Sequence, residues 1–237
     1  MKKNAGDNIE VTSSNWTFKD KGVVENFDSH VSKSVPFYDE SHELILRIIP
    51  HFFDENTTKI VDFGCSTGVL LEKIKDSFQN RKLDLTGLDV SKEMINHAKS
   101  TKNKSIKFTT KDLLSHNIDQ VDVFISFYTL QFIKPKYRVD YLKKIYDSLA
   151  WGGAFFLFEK QRSPDARFQD IITTSYFKYK ESQGYTGDHI YSKYMSLEGV
   201  LEPFSEHGNI QILNEVGFTD ICPIFKYAPF GGMLCIK

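Results

Sequence analysis

An apolar run that ends in a glycine-rich turn constrains this chain more than any other stretch of its sequence. Residues 61–68 read VDFGCSTG, and an acidic residue, Asp89, follows in the run Leu85–Asp89. Gly64 and Gly68 let the backbone turn tightly and approach a ligand, and a carboxylate after the next strand can receive two ribose hydroxyl groups. Because glycine also ends ordinary strands, the turn predicts a nucleoside site only together with its surroundings.

The surrounding pattern alternates strands with helices. A short β-like run at 106–110 precedes Asp112, and the apolar run 121–127 (VDVFISF) follows it. Apolar residues recur at helical spacing in four segments, at 39–52, 69–74, 91–98 and 137–149. This alternation predicts a mostly parallel sheet. The order resembles class I S-adenosylmethionine-dependent methyltransferases, which implies an α/β, Rossmann-like fold: a seven-stranded sheet with helices on both faces and a helical lid.

The turn also indicates which nucleoside is bound. Its middle position is Ser66, whereas a dinucleotide site favours glycine there so that the backbone can approach a diphosphate. S-adenosyl-L-methionine has no phosphate, and its amino-acid tail suits a serine hydroxyl. We therefore predict S-adenosyl-L-methionine as the cofactor, the alternative being that Ser66 is an ordinary turn residue.

Composition excludes several other classes of protein. The 237 residues are 41% hydrophobic and 26% charged, with a formal net charge of -1, which gives no broad attraction for nucleic acid. Three widely spaced cysteines, Cys65, Cys222 and Cys235, indicate neither a disulfide framework nor a metal site. The first residues lack the apolar core of a signal peptide, and no run is long enough to span a membrane, so we expect a cytoplasmic protein.

Domain organisation follows from the same patterns. Residues 1–15 are polar and aperiodic, which predicts a flexible tail. Residues 16–237 are expected to form a single domain. Within it, residues 161–208 are rich in Tyr and Ser and depart from the strand–helix rhythm, so we interpret them as a lid.

Several segments resemble one family in particular, carboxy-S-adenosyl-L-methionine synthase, which converts adenosylmethionine and prephenate into a carboxylated cofactor for tRNA wobble-uridine modification. The resemblance runs from about Trp16 to Lys237, and its carriers are WTF at 16–18, KSVPFY at 33–38, GCS at 64–66, TLQF at 129–132, EK at 159–160, GY at 184–185 and FGG at 230–232.

The resemblance implies which residues line the cofactor pocket. They are Tyr38, Gly64, Cys65, Ser66, Asp89, Val90, Asp112 and Leu113. We add Asp62 and Gly68 of the turn, and Phe127 at the end of the fourth strand. Asp89 would receive the ribose and Asp112 would lie near the adenine amino group, since carboxylates accept hydrogen bonds. The alternative is that both aspartates are helix caps.

Other positions differ from the synthase family. The family holds the product carboxylate with an arginine, and an alignment on Gly217-Phe218 puts Ile212 at that position. At the end of the fourth strand, Phe127 replaces an asparagine and is followed by Tyr128. A histidine pair of the lid becomes Tyr176-Phe177, although plain helix packing also accounts for these aromatics. Isoleucine cannot pair with a carboxylate, so we expect the carboxylated sulfonium to be rejected unless Lys193 or Lys226 compensates.

The main hypothesis from sequence is therefore a methyltransferase that acts on a small-molecule acceptor in an aromatic-lined pocket. Tyr38 and Tyr128 would form its walls, and His189 and His207 are candidate bases. The alternatives are retained synthase activity and a non-catalytic adenosylmethionine-binding regulator. The family forms homodimers, and the resemblance implies the same here, with no membrane and no direct nucleic-acid contact.

Overall fold

A seven-stranded sheet forms the centre of the computed structural model, which describes residues 2–12 and 16–237. The strands of the sheet are β3 (Thr58–Phe63), β4 (Leu83–Asp89), β5 (Lys107–Thr110), β6 (Val121–Phe127), β7 (Leu149–Lys160), β8 (Asp220–Tyr227) and β9 (Phe230–Ile236). Their order is β5-β4-β3-β6-β7-β9-β8, and only β9 runs antiparallel to its neighbours. The predicted seven-stranded, mostly parallel sheet is confirmed.

Helices cover both faces of the sheet. They are α1 (Lys21–Ser34), α2 (Tyr38–Ile48), α3 (Val69–Ser77), α4 (Lys92–Thr101), α5 (Pro135–Ser148), α6 (Ala166–Ser182), α7 (Gly187–Ser196) and α8 (Glu206–Val216), with 3-10 turns at Ile49–Phe52 and Leu130–Phe132. Successive strand residues point to opposite faces, so Ile60 joins a core with α2, α3 and α4 while Val61 joins a second core with α5 and α8.

The strand order places the site. From β3 the chain moves to β4 and β5 on one side, and then returns to β6 on the other side of β3. At β3 the direction in which successive strands are added to the sheet is reversed. Such a reversal leaves a crevice at the carboxyl ends of the strands, where ligands of open α/β sheets bind. The predicted glycine turn follows β3 directly and therefore lies at this crevice.

The flexible tail predicted for residues 1–15 is wrong for residues 2–12. Strands β1 (Lys2–Asn4) and β2 (Glu10–Thr12) pair as an antiparallel hairpin, and the side chains of Ala5 and Ile9 are buried. The hairpin is closed by the Ala5 N–H, which donates to the Ile9 carbonyl at 2.8 Å. In its turn, Asn4 accepts the Gly6 N–H and Asp7 pairs with residues distant in sequence, which a local pattern does not reveal. Residues 13–15 lie outside the described residues.

Candidate active site

The glycine turn after β3 is held by close contacts on both sides. Gly64 and Gly68 take φ angles of 76° and 79°, and a Cβ at either position would overlap the side chain of Thr129 or Phe108, respectively. The Gly64 N–H donates to the Leu88 carbonyl at 2.7 Å, which ties the turn to the end of β4. The turn thus needs glycine at these two positions because no side chain fits.

Asp89 lies where its carboxylate can receive a ligand. One oxygen accepts the Ser66 N–H at 3.0 Å and the other accepts the Ser91 N–H at 2.8 Å. Burial raises the pKa of Asp89, opposed by these backbone N–H groups. Each oxygen keeps lone-pair capacity for one hydroxyl of a vicinal diol. The cap of α4 is Ser91, whose hydroxyl accepts the Met94 N–H, so the helix-cap alternative for Asp89 is excluded.

Asp62 is a buried carboxyl without a hydrogen-bond partner. It is 3% exposed, and its Oδ1 atom is buried and unpaired. Burial, with the nearby charge of Asp89, raises the pKa of Asp62 to about 8. A cation placed beside this group would repay the desolvation of the carboxylate. The ammonium group of an amino-acid tail has the required charge and hydrogen atoms, so the chemistry at this end fits S-adenosyl-L-methionine.

A cavity of about 930 Å³ joins these groups to the rest of the crevice. The predicted cofactor residues that line it are Tyr38, Asp62, Gly64, Cys65, Ser66, Asp89, Val90 and Phe127, together with the predicted wall residue Tyr128. Its volume is within the range of small-molecule sites. Val90 is 60% exposed beside Asp89, which gives an apolar surface next to the diol-binding group.

Three other predicted cofactor residues do not line the cavity. Gly68 shapes the turn as the residue before α3, and Leu113 is buried in the second core. The Asp112 carboxylate accepts the Leu114 N–H at 2.9 Å and the Tyr141 hydroxyl. Since Tyr141 does line the cavity, Asp112 is separated from it by one side chain.

An aromatic wall closes the cavity at the ends of β6 and α2. The Phe127 ring lies 5.3 Å from Tyr38, 4.6 Å from His42 and 4.8 Å from Tyr128, measured between ring centroids. Burial raises the pKa values of Tyr38 and Tyr128, so both phenols keep their protons and can donate hydrogen bonds. Burial also lowers the pKa of His42 to about 3, which keeps its ring neutral.

Three lysines line the cavity opposite the glycine turn. Lys160 ends β7, while Lys180 on α6 and Lys193 on α7 are only 7% and 8% exposed. In the described part of the chain, no carboxylate lies within ion-pair distance of their ammonium groups. Burial, together with a smaller effect of nearby cations, lowers the pKa of Lys160 to about 8 and that of Lys180 to about 7.

Aromatic rings hold these ammonium groups. The Tyr176 ring centroid is 4.8 Å from Lys160 Nζ and 5.1 Å from Lys180 Nζ, and Lys193 Nζ lies over the Trp16 ring. Ring faces attract cations without neutralising them. The three lysines therefore keep their capacity to bind an anion from the cavity.

Asp7 links the N-terminal hairpin to α1 and to the segment between α6 and α7. Its carboxylate accepts hydrogen bonds from His30 Nδ1 at 2.9 Å, from Lys33 Nζ at 2.7 Å and from the Tyr185 hydroxyl. These partners belong to α1 and to the segment between α6 and α7. His30 also stacks on Trp16 with a centroid distance of 5.6 Å. The Asp7 carboxylate thus joins three separate parts of the chain, namely the hairpin, α1 and the segment between α6 and α7.

Four residues named from the sequence do not lie at the cavity. His189 belongs to the capping box at the start of α7, and His207 is exposed in the first turn of α8, so neither lies where a catalytic base would act. Ile212 packs against the second core, which corrects the alignment that placed it beside the substrate carboxylate. Lys226 is exposed and forms an ion pair with Glu206 at 2.8 Å.

Sequence reasoning missed Lys160, Lys180 and His42 at the cavity. Only Lys160 had a usable signal, because it ends a strand of the parallel sheet and such ends face the crevice. Of the described residues, no group of three or more His, Cys, Asp or Glu could hold a metal ion, and no helix is long and apolar enough to cross a membrane.

Comparisons with known proteins decide the family. Residues 60–153 match a family model described as a methyltransferase domain. The chain is 37% identical over 225 residues to the carboxy-S-adenosyl-L-methionine synthase of Campylobacter lari, with 92% of this chain and 93% of that protein covered. It is 34% identical over 223 residues to the synthase of Staphylococcus epidermidis, with 94% and 97% covered.

The chain belongs to the carboxy-S-adenosyl-L-methionine synthase family. A solved structure with the same fold is the plantazolicin methyltransferase BpumL in complex with a triazolic desmethylPZN analog and SAH, at a TM-score of 0.69 and 17% identity, covering 93% of this chain and 92% of that one. The predicted Rossmann-like methyltransferase fold is confirmed. This synthase-family chain is an S-adenosylmethionine-dependent enzyme, and S-adenosyl-L-methionine is its cofactor.

Proposed function

We propose that this chain makes carboxy-S-adenosyl-L-methionine, using prephenate as the source of the carboxyl group. The proposal rests on the family to which the chain belongs, whose members cover nearly all of its length at 34–37% identity. The sequence-based objection to this activity was the loss of an arginine at Ile212. Ile212 packs against the second core and does not line the cavity, so an isoleucine at this position does not weigh against the activity.

The observation that carries the proposal is the charge of the cavity. A carboxylate that is buried without a partner is strongly disfavoured, so an enzyme that handles one must provide cations. Lys193, one of the two lysines that could compensate for a missing arginine, lines the cavity together with Lys160 and Lys180. In this reaction the carbon–carbon bond between the carboxyl group and the ring of prephenate breaks, the ring hydroxyl group leaves, and the ring becomes aromatic, so that phenylpyruvate is released. The carboxyl carbon bonds to the sulfonium methyl carbon, and the proton that this methyl group loses combines with the leaving hydroxide to give water.

The direct test is to incubate the purified protein with S-adenosyl-L-methionine and prephenate and to identify the nucleosides by mass spectrometry. We expect carboxy-S-adenosyl-L-methionine to form only when both substrates are present, and not to form with the Asp89→Ala variant. A cofactor pool that stays unchanged with prephenate would contradict the proposal. As an independent test, the protein is purified from cells that make both cofactors and is then denatured. Mass spectrometry identifies the nucleoside that it releases.

A second candidate is methyl transfer to a small apolar acceptor, the main hypothesis from sequence. One observation favours it, namely the wall formed by Phe127 where the family resemblance implies an asparagine, in ring contact with Tyr38 and His42. Aromatic faces suit an apolar or cationic acceptor. The same assay separates the two candidates, because methyl transfer releases S-adenosylhomocysteine and requires no prephenate.

Assembly as a homodimer stays a prediction.

A further inference from the structure

We infer that His42 binds the carboxylate of the cofactor's amino-acid tail, while Asp62 binds the ammonium group of the same tail. The inference goes beyond the proposed function and does not depend on it, because both candidate functions use S-adenosyl-L-methionine. It gives a role to a histidine that the sequence did not single out, and it predicts that the site selects cofactors with an intact tail.

His42 is a buried polar side chain that lines the cavity without a partner. It is 1% exposed, and neither of its ring nitrogens has a hydrogen-bond partner among the described residues. Burial, with a smaller effect of the nearby Lys73, lowers its pKa to about 3 and keeps the ring neutral. A neutral imidazole carries one N–H group, and a buried donor is unfavourable until an acceptor meets it.

His42 and Asp62 lie on the same face of the sheet. Asp62 pairs in register with Ile125 of β6, and Phe127 follows two residues later, so the side chains of Asp62 and Phe127 point to the same face. The spacing of strands and residues puts the Cα atoms of Asp62 and Phe127 about 8 Å apart. Because the His42 ring packs on the Phe127 ring at a centroid distance of 4.6 Å, the imidazole lies on this side of the cavity.

Tyr38 connects the imidazole with the Asp62 carboxyl. Its ring lies 4.6 Å from the ring of His42, one helical turn away on α2. Burial raises the pKa of Tyr38, and the nearby charges of Asp28 and Asp62 add to this effect, so the phenol lies near both carboxyl groups. The side chains of His42, Tyr38 and Asp62 thus form one polar end of the cavity.

An amino-acid tail carries its two charged groups on one carbon atom. When its ammonium group is held at Asp62, its carboxylate lies close by and needs a donor. Lys160 lies two strands away from Asp62 and four residues beyond its register position, which puts the two Cα atoms about 16 Å apart. Lys73 forms an ion pair with Asp39 and does not line the cavity. The His42 N–H is the side-chain donor that lies on the same side as Asp62 and lacks a partner.

The test uses two probes that differ only in the tail carboxylate, S-adenosyl-L-methionine and its decarboxylated form. Each is titrated by calorimetry into the protein without prephenate, so that no turnover interferes. We expect the wild type to bind S-adenosyl-L-methionine at least about tenfold more tightly than the decarboxylated form, because a hydrogen bond to a charged group contributes about a factor of ten or more.

His42→Phe removes the N–H donor and keeps a ring against Tyr38 and Phe127. It should weaken S-adenosyl-L-methionine binding by about tenfold to a hundredfold and change binding of the decarboxylated form by less than about threefold. Asp62→Asn should weaken binding of both forms, since both carry the ammonium group. His51→Phe is the matched control, because His51 is exposed and does not line the cavity. Melting curves verify that each variant is folded.

The outcomes separate this inference from the proposed function. Equal losses for both probes in His42→Phe would overturn the inference, because the imidazole would then act by packing or by accepting the ammonium group. Unchanged affinity for S-adenosyl-L-methionine would overturn it as well. Neither result bears on the proposed function, which depends on conversion of prephenate. A loss confined to the probe with the carboxylate, in a protein that does not convert prephenate, would support the inference and contradict the proposed function.

Discussion

The carboxylate of Asp89 accepts the backbone N–H of Ser66 at 3.0 Å, which links the end of β4 to the glycine turn after β3. The two parts of the nucleoside site, one backbone and one side chain, are therefore held in a fixed relative position before any ligand binds. Preorganisation of this kind reduces the entropy that binding must overcome.

Substitution Asp89→Ala should lower cofactor affinity strongly. It removes the two acceptors for the ribose hydroxyls and leaves the Ser66 and Ser91 N–H groups without a partner, at a cost of about 2–4 kcal/mol in binding. The measurement is calorimetric titration with S-adenosylhomocysteine. Asp119→Ala, at an exposed aspartate in the loop before β6, is the control and should bind normally. Unchanged affinity in Asp89→Ala would remove Asp89 from the cofactor site.

Substitution Asp62→Asn should stabilise the ligand-free protein increasingly as the pH rises from 5 to 8. The pKa of Asp62 is about 8 in the folded protein and about 3.9 in the unfolded chain, so over this range the unfolded state binds fewer protons. Folding stability contributed by this group is thus lost as the pH rises, and asparagine removes the loss. Melting temperatures at pH 5, 6.5 and 8 give the result, and a constant difference between variant and wild type would contradict it.

When a dianion such as prephenate binds at the lysine cluster, formed by Lys160, Lys180 and Lys193, the protein should take up protons. The pKa values of Lys160 and Lys180 are about 8 and about 7, and a bound anion raises both, so at pH 8 ammonium groups form upon binding. Calorimetric titration of prephenate into protein saturated with S-adenosylhomocysteine, in buffers of different ionisation enthalpy, measures this uptake. The affinity should fall as the pH rises from 6 to 9. The charged and titratable neighbours of the cluster are Arg162, His30, Tyr176, Tyr179 and Tyr185.

An uptake of zero at pH 8 would mean that the lysines are already fully charged or do not meet the anion. The Lys180→Gln variant distinguishes these cases, since it reduces affinity only in the first.

Substitution Asp7→Ala should release the N-terminal hairpin from α1 and from the segment between α6 and α7. It removes the common acceptor of His30, Lys33 and Tyr185, of which His30 and Tyr185 are buried and would lose a partner, at about 1–3 kcal/mol each. Limited proteolysis should cut near the hairpin faster, and S-adenosylhomocysteine affinity should fall. Asp188→Ala, at an exposed residue in the first turn of α7, serves as the control. Identical cleavage rates would show that the hairpin is held by its apolar contacts instead.

The parts of the fold that sequence predicted were those with a local signal. Strand β3 and the glycine turn follow from short patterns, because an apolar run of this length favours a strand and a backbone in a left-handed conformation demands glycine. His189 shows the limit of this reasoning. Its position near the lid suggested a base, yet its ring accepts the Thr186 N–H at 3.4 Å as part of a helix cap.

The lysine cluster could not be found in this way. Helix α6 and the first part of α7 separate Lys160 from Lys193 in sequence, and only the packing of these helices over the sheet brings the two lysines to one cavity. The misplacement of Ile212 has a related cause. Aligning a helix on the Gly217-Phe218 pair that follows it says nothing about which face of that helix points inward, and Ile212 points to the second core.

Three lysines with lowered pKa values share one poorly solvated space, so charging them is unfavourable in the ligand-free protein. An anion that binds there offsets this cost and stabilises the folded state by mass action, in proportion to the logarithm of its concentration above its Kd. The amount of folded enzyme in a cell therefore depends on the supply of the second substrate. A cell that lacks that substrate would lose the protein to degradation faster than one that makes it.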